Sequence, residues 1–182
     1  MTIQELIDTC KIGGFDAALV STDKIVFNPA FRLMCEQNLC SRYATTYACP
    51  PDCGSTDEMK QRVLRYSHAI VTKSAQPLKD WRDLEALELA KSKHNQGMLA
   101  IVQQARNHQM DCLYCGAGPC DLCEPCQLTK KEACPHPADR YSCLSAYCID
   151  VKKLAETCKL SFKVKEDHVA FFSLIAVNSK FS

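Results

Sequence analysis

Near the start of the chain Ile3, Leu6, Ile7 and Cys10 recur at helical spacing among polar positions, and Gly13-Gly14 follow. This pattern predicts an amphipathic helix over residues 2–11 that stops at the glycine pair. The runs DAALVS and KIVF, separated by Thr22 and Asp23, predict two short strands joined by a tight connection. From Thr56 to about Tyr66 the pattern is again helical, with Ser55 or Thr56 as N-cap, and HAIVTK then reads as a strand. Residues 80–108, rich in Leu, Ala, Glu, Lys and Gln, predict two helices broken near Asn95-Gln96-Gly97. IDVKKLAETC predicts a short helix with Leu154 and Cys158 on one face, and SFKVK with VAFFSLIAV predicts a closing hairpin across Glu166-Asp167. That last apolar run falls far short of a bilayer span, so it reads as a buried strand and no membrane segment is expected. Helices and strands mix without regular alternation. The expected fold class is therefore α+β: a single metal-binding domain over residues 1–182, with a small mixed or antiparallel sheet, flanking helices and two cysteine-rich loops.

Those loops, residues 35–53 and 112–148, interrupt the pattern and carry most of the fourteen cysteines. A count this high means either a disulfide scaffold or metal ligation. The N-terminal stretch MTIQELIDTCKIGG has early acidic residues and no apolar secretion core, so a reducing, cytoplasmic setting is expected, where clustered thiols serve as metal ligands. A formal charge of +1 lacks the electrostatic footprint of nucleic-acid binding.

The sharpest motif is in the second block. Cys120, Cys123 and Cys126 recur at every third position, so a curled loop can aim three thiolates at one cube of iron and sulfide. Cys134, followed by Pro135, supplies a fourth, resembling in ligand logic the C-x2-C-x2-C and C-P run of bacterial ferredoxins. Gly116, Gly118 and Pro119 upstream permit close turns whose backbone amides can face cluster sulfurs. The alternative is structural zinc on Cys112, Cys115, Cys123 and Cys126, a C-x2-C-x7-C-x2-C arrangement that would leave Cys120 stranded. In the first block Cys35, Cys40, Cys49 and Cys53 form a looser second site, stiffened by Pro50 and Pro51. Cys10 and Cys158 fall on apolar helix faces and read as core. Cys143 and Cys148 remain open between a substitute ligand, a redox thiol and burial. His136 reads as a solvated loop residue, and Tyr43 and Tyr47 as loop packing.

Taken in order, CEQNLCSRYATTYACPP, GAGPCDLCEPC, ACPHPADR and SAYCIDVKKLAE resemble a family of predicted metal-binding proteins known only as a domain of unknown function. The resemblance runs from about Ile25 to Val177. It implies metal binding, iron-sulfur in type, in anaerobic prokaryotes, and implies no reaction. It supports Cys35, Cys40 and Cys49 in the first block and Cys120, Cys123, Cys126 and Cys134 in the second. Cys53 has no firm counterpart in the family pattern, Cys112 and Cys115 look like additions, and Cys148 stands where the pattern tends toward glycine. The function expected is an iron-sulfur protein with two [4Fe-4S] clusters that passes single electrons to a redox partner protein or acts as an accessory to a partner enzyme. Two other classes compete with it: a zinc-stabilised interaction module, and an enzyme whose first cluster has an open iron for substrate. Two oxidised clusters, at about two negative charges each, would take the chain from +1 to about −3, favouring a basic partner surface.

Overall fold

The computed structural model describes residues 1–178. Helix α1 (Ile3–Ile12) begins at a capping box in which Thr2 and Glu5 satisfy each other's backbone amides, and it ends at Gly13. Strand β1 (Asp16–Ser21) follows. Helix α2 (Ala30–Glu36) carries Cys35, and α3 (Thr56–Leu64) starts on a second capping box between Ser55 and Glu58. Strand β2 (His68–Pro77), helix α4 (Leu84–Asn107), strands β3 (Cys112–Gly116) and β4 (Ser142–Cys143), helix α5 (Val151–Thr157) and strand β5 (His168–Val177) complete the order.

The five strands form one sheet in the order β1-β2-β5-β3-β4, antiparallel except for the β3–β4 pair. Alternation along the strands gives it two apolar faces. Ile70, Tyr114 and Ile175 pack with Leu6, Ile7 and Cys10 of α1 and Met98 and Val102 of α4. On the opposite face Val71, Cys115 and Leu174 pack with Met59 and Val63 of α3 and Leu154 of α5. Helices thus cover both faces in an α+β arrangement. Among the described residues no helix is long and apolar enough to cross a membrane.

Three expectations are corrected. KIVF forms no strand beside DAALVS. Residues Thr22–Lys24 make a 3-10 turn, Phe27 forms a lone bridge to Ile149, and β1 pairs instead with β2. SFKVK likewise forms no hairpin, because both edges of β5 are taken, one by β2 along its full length and the other by β3. Residues 80–108 hold one long helix, not two. Of the positions that suggested a break, Asn95 faces inward and is satisfied there, donating to the Ala117 carbonyl at 2.8 Å and accepting from its amide at 3.0 Å, while Gln96 stays exposed. A Cβ on Gly97 would stand 3.0 Å from the Phe15 ring, so glycine lets the helix approach β1's end closely.

Candidate metal centre

The second cysteine block wraps into a small cavity lined by Cys120, Cys123, Cys126 and Cys134, with Leu122, His136 and Arg140 beside them and Thr46–Ala48 closing the wall. All four thiols are half-buried. Cys126 caps a 3-10 turn (Gln127–Lys130), and its carbonyl accepts from the Thr129 amide at 3.0 Å and the Thr129 hydroxyl at 2.8 Å. Arg106 of α4 anchors the far end of the loop, reaching the Ala138 carbonyl at 2.8 Å and the Asp139 carboxylate at 2.9 Å. Burial raises the Cys120 thiol pKa, and backbone hydrogen bonds from Leu122 and Tyr141 pull it back; Cys123 is raised by burial and relieved by Gln127. Amides do face these sulfurs. In the glycine turn the Ala117 amide is taken by Asn95, and Gly116 lies where a Cβ would stand 2.3 Å from the Tyr141 ring. His136 is exposed, as expected of a loop histidine, and also stands on the cavity wall.

Cys35 and Cys40 of the first block stand on the wall of a larger, mostly apolar cavity of about 510 Å³, which Cys143, Phe31, Val151 and Phe172 also line and Cys49 and Cys53 do not. Cys35 ends α2, Cys40 lies on the loop beyond it, and Cys143 comes from β4, on the far side of the second block. Cys49 is buried, its pKa lifted to about 11 by desolvation and then by the nearby thiols Cys40, Cys53 and Cys35. Cys143 is raised to about 12 by burial, and Cys49, Cys35 and Cys40 all stand close enough to push it further. Pro50-Pro51 is a cis peptide just beyond Cys49. Within the preceding loop Asn38, Ser41 and Ala44 adopt φ of 55–56°, a left-handed conformation that costs non-glycine residues about 1–2 kcal/mol each. Such strain persists where surrounding structure over-determines it, and it collects at functional sites.

Cys53 is buried at 3 % exposure in the apolar core and accepts from Arg32 Nη1 at 3.4 Å. Arg32 is itself buried, its Nη2 donating to the Gly54 carbonyl at 2.9 Å, while its Nε has no hydrogen-bond partner and no described carboxylate pairs with it. A buried guanidinium without a counter-charge costs several kcal/mol. An anionic group beside Cys35 would supply that charge, and a thiolate-ligated cluster is anionic. The donor set and its electrostatics therefore fit such a group.

Cys112 and Cys115 lie on β3 and pack into opposite faces of the sheet, so the zinc arrangement with Cys123 and Cys126 is not assembled. Among the described residues no three His, Cys, Asp or Glu side chains are drawn in around a single ion. Cys10 is core, its thiol raised to about 11 by desolvation, and Cys158 packs against the other face's core. Cys148 is buried with φ of 60°, which explains in backbone terms why glycine suits that position. Sequence reasoning missed Arg32, whose burial is not signalled by its place on a short polar-flanked helix.

Two cysteine-lined cavities on one α+β scaffold define a cysteine-rich metal-binding protein. The chain belongs to the family described as predicted metal-binding protein (DUF2284), whose model matches residues 18–177; the description names no metal and no reaction. No curated protein and no solved structure matches it.

Proposed function

We propose that this chain is an iron-sulfur protein that holds two four-iron clusters and passes single electrons to a partner redox protein in the cytoplasm of an anaerobic cell. The observation that carries this reading is that one loop brings the half-buried thiols of Cys120, Cys123, Cys126 and Cys134 to the wall of a single small cavity. Three thiols at every third position with a fourth beyond them suit the corners of a cube of iron and sulfide, whereas the four-thiolate zinc set would need Cys112 and Cys115, which β3 holds in opposite faces of the sheet. When bound, such clusters supply one-electron storage at potentials set by hydrogen bonds and burial.

The chain's own residues then divide the work. Amides of Leu122, Tyr141 and Gln127 steady the second site's sulfurs, and Arg32 offsets negative charge at the first. Apolar side chains such as Phe31, Leu144 and Phe172 line the larger cavity, which opens to solvent. One chain segment runs between the two sites: Thr46–Ala48 line the second cavity, and the next residue, Cys49, is a proposed ligand of the first site.

Anaerobic reductive titration followed by EPR tests the reading. Uptake of about two electrons per chain, with the spectra of two interacting paramagnets, is the expected result. A colourless protein that takes up no electrons would contradict it.

A further inference from the structure

Among the cysteines near the first site, Cys53, Cys143 and Cys148 could each join Cys35, Cys40 and Cys49. Their surroundings separate them. Cys143 stands on the wall of the same 510 Å³ cavity as Cys35 and Cys40, and Cys49, off that wall, is still close enough to act on its thiol together with them. Its sulfur accepts the Ala146 amide at 3.4 Å, the kind of N–H···S bond that favours the thiolate and orients it. Cys53 stands off that wall, sunk in the apolar core with its sulfur engaged by Arg32. Cys148 is also off the wall and sits on a left-handed turn that glycine would fill equally well.

We infer that Cys143 is the fourth ligand of the first site, which is then Cys35, Cys40, Cys49 and Cys143, while Cys53 is a positioning residue that holds Arg32 against it. The inference rests on the iron-sulfur reading above. It has two consequences. The first site is closed by four thiolates, so no iron there is left open to substrate, and the protein is a carrier at this site. The site also binds together both halves of the chain, because β4 follows the second block and enters the sheet beside β3 at Cys115–Ser142 and Gly116–Cys143.

The test is anaerobic purification of C143S, C53S and C148G beside the parent protein, with iron, acid-labile sulfide and EPR measured on each. C143S is expected to lose about half of its iron and sulfide, or to convert the first cluster to a three-iron form with a new EPR signal, while the second cluster's signal persists. C53S and C148G are expected to keep both clusters, with C53S shifting only the potential of the first. Full iron and an unchanged spectrum in C143S would overturn the assignment, as would loss of half the iron in C53S or C148G. Should C143S fold too poorly to purify, C53S and C148G decide: full iron in both supports Cys143, and depletion of either overturns it. Absence of iron and sulfide from the parent would instead overturn the underlying reading.

Discussion

All four thiols around the smaller cavity come from residues 120–134, on one loop pinned at its ends by α4 and the β-sheet, whereas those around the larger cavity arrive from α2, the following loop and β4. The first arrangement is local. Its ligands can find one another with little loop-closure entropy, and its sulfurs stay half-exposed. The second is assembled only when the sheet is, and it has a buried cation nearby and a mostly apolar wall that opens to solvent at Cys40. Locality therefore separates a site that a short peptide could approximate from one that the whole fold must complete. The chain passes from one to the other at Thr46–Cys49.

The sharpest way to break this comparison is Cys123→Ser. If the small cavity is an independent local site, about half of the iron is lost and the first site's EPR signal remains, since hydroxyl is a far poorer ligand for iron than thiolate. Loss of all metal with unfolding would show instead that both sites belong to one cooperative unit.

A smaller effect should come from acid. His94 of α4 is fully buried between Ser74 and Ser173, at 2.7 and 3.1 Å, and desolvation lowers its pKa to about 4. Between the ordinary value of 6.5 and about 4 the unfolded chain binds a proton that the folded one refuses. Stability is therefore full above that window and falls through it as pH drops, by on the order of 3 kcal/mol if the full shift counts. Denaturant unfolding of H94Q against the parent at pH 7 and pH 5 should show the acid loss shrink in the variant. An equal loss in both would assign acid sensitivity to the thiolates instead.

Arg32→Met should lower the first site's reduction potential by on the order of 60 mV, a tenfold change in a one-electron equilibrium, because the charge that favours the added electron is gone. The second site's potential should not move. Equal shifts at both would deny Arg32 its place beside the first. The smallest effect is expected from Arg42→Ala, which removes the 3.2 Å ion pair to Glu124 between the two loops. Glu124 is 70 % exposed, so the loss should stay below about 1 kcal/mol and fade with salt.

How much of this could be read from the sequence follows the same division. The Cys120–Cys134 set is visible because its ligands repeat at fixed short spacing, and the capped starts of α1 and α3 are visible because capping boxes are local. That Cys143 shares a wall with Cys35 and Cys40 could not be read from the sequence, since proximity along the chain favours Cys53 and only the fold brings β4 to α2. The Asn95–Gly97 break was misread for a related reason. Polar and glycine residues inside a helix look like punctuation until the partners they face, Ala117 and Phe15, are known. The KIVF and SFKVK strands failed because apolar alternation marks a segment that can pair and does not name its partner: β1 pairs with β2, and β5 with β2 and β3.

The most direct test of the account is the metal and sulfide content of anaerobically purified protein. Two thiolate-held clusters predict about eight iron and about eight acid-labile sulfide per chain, with zinc near zero. Stoichiometric zinc in a stably folded, colourless protein without sulfide would contradict it.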